Sequence, residues 1–109
     1  MKVGNGIDVW NVLPYWNFNY TVTVTSTSYT AALERIILVD DDTAAATVTI
    51  LLPAAATWDM YHIKKLGTTA DVIVDGNASE TIDGGLTAVL TTQYESIMII
   101  SDGSNWHVI

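Results

Sequence analysis

The chain is predicted to be all-β: a small antiparallel β-sandwich or barrel-like domain with an extended N-terminal arm. Three observations predict this. Fifteen of the 109 residues are Thr, and they alternate with Val and Ile in the period-2 pattern of half-buried strands. Asp-Gly pairs fall at Asp75-Gly76, Asp83-Gly84 and Asp102-Gly103, the chemistry of tight turns that need positive φ. The one helical candidate, YTAALERI, is too short to stand alone and reads as a turn or a single helical turn.

In chain order, YTVTVTSTSY puts Tyr20, Val22 and Val24 on one face and Thr21, Thr23 and Thr25 on the other. RIILVDDD is a continuous apolar run ended by acids, the signature of a strand buried on both faces. ATVTILLP alternates through Val48, Ile50 and Leu52, then stops at Pro53, which has no N–H to give a ladder. PAAATWD has no periodicity and is a loop. MYHIKKLGTT is a strand ending at Gly67, ADVIVDGN a strand running into Asp75-Gly76, and ETIDGG a short strand running into Asp83-Gly84. SIMIISDGSNWHVI is two strands joined through Asp102-Gly103, so the connections are expected to be antiparallel and meander-like. The chain divides into an arm, residues 1–19, and one β domain, residues 20–109.

Composition excludes several functions. Twelve acidic residues stand against four basic ones, a net charge of −8, so the basic footprint that nucleic acid requires is missing. No cysteine is present, which removes disulfides and thiolate metal ligands. The N-terminus MKVGNGIDVW lacks the apolar run of a signal peptide, and no stretch approaches the ~20 apolar residues of a membrane span. Assembly in a cytoplasm is the expectation.

Candidate chemistry is sparse. Asp40-Asp41-Asp42 supplies hard oxygen ligands of the kind Ca²⁺ takes, but the spacing of a calcium loop is missing, and a solvated turn is expected. His62 and His107 lie in strand-like runs, on the face opposite the large apolar side chains, with no third ligand or nucleophile brought to them by sequence. No Ser-His-Asp arrangement, phosphate-cradling loop or metal motif occurs. No enzyme activity is expected, with no catalytic, cofactor-binding or metal residues and no cofactor. Trp106 alternates with Val108 and reads as core. Trp58 lies in a loop, where a flat ring is open to stack on a sugar.

Residues 46–109 carry an ordered set of motifs: Leu52-Pro53 after a Thr/Val strand, Ile63-Lys64-Lys65 with Gly67, Thr81-Ile82-Asp83-Gly84, Tyr94 before an apolar strand, and Ser101 to Trp106. This order resembles a module of bacteriophage tail-fibre, head-fibre and capsid-decoration (cement) proteins. The resemblance implies a virion structural protein, usually a homotrimer, with an all-β domain and no catalysis. A module behind a short arm, without a fibre shaft, looks more like a decoration protein docked on a major capsid protein or another virion protein. The alternative is a small tail-fibre, tail-adaptor or host-glycan receptor-binding protein, since WNFNY also has the composition of a sugar site.

Residues 1–19 match no known pattern, yet Trp10, Tyr15, Trp16, Phe18 and Tyr20 crowd five of the ten aromatic residues into eleven positions. Burying five rings of ~150 Å² at roughly 25 cal/mol per Å² gains about 19 kcal/mol. That is comparable with the ~1–2 kcal/mol per residue needed to order the segment. The arm is therefore expected to need a partner surface, with these five rings as the docking residues. The apolar runs Ile36-Ile37-Leu38-Val39 and Ile97 to Ile100 offer more apolar faces than one small core uses, which independently predicts an oligomer.

Overall fold

Alternation gives each strand an inward and an outward face, and the chain distributes these strands over two mixed sheets. The computed structural model describes residues 20–109. Among the described residues nine strands are formed: β1 (Thr21–Val24), β2 (Ser28–Thr30), β3 (Ile36–Val39), β4 (Val48–Leu51), β5 (Met60–Lys65), β6 (Val72–Asp75), β7 (Thr87–Leu90), β8 (Ser96–Ser101) and β9 (Trp106–Val108). One sheet has the order β1-β3-β5-β8-β9 and the other the order β2-β4-β6-β7. The chain is all-β; among the described residues the helical content is one four-residue helix, α1 (Asp41–Ala44), and a 3₁₀ turn at Ala55–Thr57.

The topology corrects the expectation of an antiparallel meander. From β1 to β6 the chain crosses to the other sheet after every strand, so successive strands within one sheet run the same way. β1 with β3, β3 with β5, β2 with β4 and β4 with β6 all pair in parallel. The result is a stack of three coils, each giving one strand to each sheet. Parallel neighbours need a long crossover, and here the strand in the opposite sheet supplies it. Only the last three strands reverse: β7 on β6, β8 on β5 and β9 on β8 are antiparallel.

The misreading has a local cause. Asp75-Gly76 does not make a hairpin; among the described residues the glycines with positive φ are Gly84 and Gly103, at 88° and 94°. Between β6 and β7 lies a long connection closed at its base by Gly76 N–H donating to Leu86 O at 3.0 Å. ETIDGG forms a tight turn rather than a strand, with Ile82 bridging both Gly85 and Trp106.

The core lies between the sheets. Val24, Ile37, Val39, Tyr61, Ile63, Ile99 and Trp106 from the first meet Val48, Ile50, Val72, Val74 and Leu90 from the second, all 3% exposed or less. Trp106 is core, as its alternation with Val108 predicts, and its ring centroid lies 6.0 Å from that of Tyr61. RIILVDDD is not buried on both faces: Ile37 and Val39 point inward while Ile36 is 40% exposed. The YTAALERI segment is not helical, since Ser28–Thr30 is strand β2.

The acidic cluster departs furthest from expectation. Asp41 is fully buried rather than solvated. Its Oδ2 accepts from Lys65 Nζ at 3.1 Å, from Thr69 N at 2.8 Å and from Ala70 N at 2.9 Å, while Oδ1 accepts from Gly67 N at 2.9 Å. Lys65 Nζ also donates to Gly67 O at 2.5 Å. Asp40 caps α1, its Oδ1 accepting from Thr43 N at 3.0 Å. Asp42 accepts from Thr68 N at 2.9 Å. Asp40 thus caps the helix, while Asp41 and Asp42 fasten the β3–β4 connection to the β5–β6 connection. Gly67 lets them do so: a Cβ there would sit 2.6 Å from Asp41 Oδ1 and from Asp42 Cγ.

Candidate functional site

Trp10, Tyr15, Trp16 and Phe18 lie outside the described residues. Tyr20, the fifth of the predicted docking rings, is 41% exposed where the chain enters β1. Its carbonyl accepts from Arg35 N at 2.8 Å and from Ile36 N at 2.9 Å, which pins the start of the domain to β3. Tyr20 also lines a groove of about 710 Å³ with Val22, Ala32, Leu33 and Arg35 among its walls. Leu33 in that groove is 84% exposed, the most exposed large apolar residue of the domain. The sequence reading did not single it out; its signal is an apolar side chain in a segment with neither strand nor helix periodicity.

The outer face of the five-stranded sheet is the second surface of interest. The register aligns Ile36, His62 and Met98 across β3, β5 and β8. The neighbouring row aligns Met60, Ile100 and His107 across β5, β8 and β9. Ile36, Met60, Met98 and Ile100 are each 36% exposed or more, so the apolar residues form a contiguous patch around His62. His62 Nε2 lies 3.4 Å from Ser96 Oγ. The outer face of the four-stranded sheet carries Leu51, Ile73 and Val89 among Thr residues and Asp75.

Trp58 is the third. It is 70% exposed and follows the 3₁₀ turn in the left-handed region, with φ 59°. Its ring rests on the backbone of Gly103 in the β8–β9 turn, where an added Cβ would stand 2.5 Å from Trp58 Cζ2. Asp102 organises that turn. Its Oδ1 accepts from Ser104 N and Asn105 N, each at 2.8 Å, and its Oδ2 lies 2.7 Å from His107 Nε2. The Asn105 N–H, the His107 side chain and the Ser104 N–H together hold the Asp102 carboxyl down at a pKa of about 2. His107 Nδ1 is 3.7 Å from Asp83 Oδ1, so this half-exposed histidine ties two turns together.

Gly103→Ala is expected to destabilise the domain by about 1–2 kcal/mol through its positive φ and to push the Trp58 ring off its seat. The readouts are thermal melting and Trp fluorescence; an unchanged emission spectrum would show that the ring does not depend on Gly103.

Among the described residues no group of three or more His, Cys, Asp or Glu side chains is placed to hold a metal ion, and no helix is long and apolar enough to cross a membrane. The arrangement offers interaction surfaces: an apolar sheet face, an apolar groove where the arm joins the domain, and a propped Trp ring. No protein-family model matches the chain, and no curated protein matches it.

Proposed function

We propose that the chain is a structural protein of a bacteriophage particle, a homotrimer that decorates and stabilises the capsid exterior, docked through residues 1–19. The reading rests on the resemblance of residues 46–109 to the phage module. The observation that carries it is the use to which the motif residues are put. Leu52, Ile63, Ile82 and Trp106 are core, Lys65 is the buried partner of Asp41, and Gly67 permits their approach. Tyr94 adopts φ 67° and its N–H donates to Lys65 O at 2.8 Å. Asp83-Gly84 and Asp102-Gly103 shape turns. A module whose recurring positions hold the scaffold together suits a protein whose work is to keep a shape and present surfaces. Assembly would take place in the host cytoplasm and the mature location would be the virion.

One observation favours the second reading, a tail-fibre, tail-adaptor or receptor-binding protein that recognises host glycans. Trp58 is exposed yet held in place, the arrangement a sugar-stacking ring requires. The two readings separate when purified protein is added to shells that lack it and, in parallel, to host cells. Saturable binding to shells at a fixed ratio in multiples of three, with a raised shell melting temperature, is the expected result. Binding to cells that competes with free glycan, and none to shells, would move the protein to the tail.

A further inference from the structure

We infer that the outer face of the five-stranded sheet is the surface through which copies of this chain associate, a reading that rests on the homotrimer proposed above and names its interface. The apolar patch of Ile36, Met60, Met98 and Ile100 is one part of the argument, and charge is the other. A chain with net charge −8 repels its own copies, and the repulsion is least where no carboxylate must be brought close to another. The strands of this sheet point outward Thr21, Thr23, Ile36, Leu38, Met60, His62, Lys64, Ser96, Met98, Ile100 and His107. None of these is acidic, and the face includes Lys64, which lies over the Tyr94 ring at 5.4 Å.

The other surfaces fit a second copy less well. The four-stranded sheet points Asp75 outward beside Leu51, so two such faces would oppose like charges. The groove at Tyr20 and Leu33 lies where residues 1–19 join the domain, and it is a narrow site rather than a flat one. A flat sheet face turned toward a three-fold axis meets the same face of the other two copies, which suits a closed trimer. Exposed apolar side chains cluster on the sheet face whose strands turn no carboxylate outward, with Asp83 and Asp102 held against His107 at its β9 edge, and the partner this favours is another copy of this chain.

The absence of cysteine from the sequence makes a direct test clean. Met98→Cys in the full chain is expected to give covalent dimers under mild oxidation, since thiols on facing copies come within bonding reach, while Val89→Cys on the opposite sheet stays monomeric on a non-reducing gel. In parallel, the double variant Met98→Glu with Ile100→Glu is expected to reduce the light-scattering mass from that of three chains to that of one, and Leu51→Glu with Val89→Glu to leave it at three. Both pairs are exposed, and circular dichroism verifies that the variants fold. A trimer that survives the Met98/Ile100 pair but dissociates with the Leu51/Val89 pair overturns the assignment of this face and leaves the trimer standing. A wild-type chain that is monomeric at micromolar concentration overturns both.

Discussion

Asp41→Ala is expected to lower stability by about 3–5 kcal/mol, the range found when one partner of a buried ion pair is removed. The substitution strands Lys65, which is 1% exposed, and takes the acceptor from Gly67 N, Thr69 N and Ala70 N together. Set against the ~5–15 kcal/mol of a typical domain, that loss brings the fold near its threshold, a melting-temperature drop of roughly 15 °C or more. Lys65→Met should cost less. It leaves the Asp41 carboxylate with its three backbone N–H donors, and the methionine stem fills much of the lysine's volume. The order of the two melting temperatures is therefore the test, and a variant Asp41→Ala that melts within a few degrees of wild type would refute the clamp. The pH dependence follows the same geometry. Burial opposes ionisation of Asp41, but the Ala70 N–H, the Lys65 ammonium and the Gly67 N–H outweigh it and hold its pKa below the ordinary carboxylate value. A depressed pKa contributes stability that is present above the unfolded-state value near 4 and is lost as pH falls through the folded-state value. Wild type should accordingly lose stability more steeply below about pH 4 than Asp41→Ala does.

That clamp also marks where sequence reasoning stopped. Several strands were legible because alternation records which side chain faces which way: β4 stops before Pro53, β5 before Gly67, and Trp106 packs inward with its parity; YTVTVTSTSY, read as one strand, divides into β1 and β2, and β7 was not read as a strand. Alternation carries no information on strand direction, however, and a strand that crosses to the opposite sheet looks the same as one that turns back in a hairpin. The parallel coils were missed for that reason, and Asp75-Gly76 reinforced the error by offering turn chemistry at a glycine whose own φ is not positive. Asp41 reads as one of three solvated acids because its partners lie 24 to 29 residues away, and no local pattern connects them. Lys65 carried a signal in hindsight, since it continues the inward parity of Tyr61 and Ile63. The excess of apolar faces was visible in IILV and IMII, and the structure resolves which half of each turns outward.

Deleting residues 1–19 is expected to leave a folded trimer that no longer binds particles. The described domain holds a core from Val24 to Trp106, and the truncated chain is expected to fold around it. The docking function assigned to the arm rests on its composition. Trp and Tyr are the residue types that most often dominate binding energy, at 2 kcal/mol or more each when fully desolvated, and Trp10, Tyr15 and Trp16 are removed together with Phe18. Losing even two such anchors weakens a single contact by about 700-fold or more. In the proposed trimer three arms would make the loss larger still, because after the first arm binds the others do so at high effective concentration. Tyr20 remains in the truncated chain at the groove with Leu33, and so Tyr20→Ala in the full chain should weaken binding less than the deletion does. The acidic domain would project away from the packaged nucleic acid, whose phosphates repel it. Sedimentation of truncated and full-length trimers with shells that lack the protein decides the matter: if the truncated trimer still saturates the shells, the anchor lies on the β domain and the arm has another purpose.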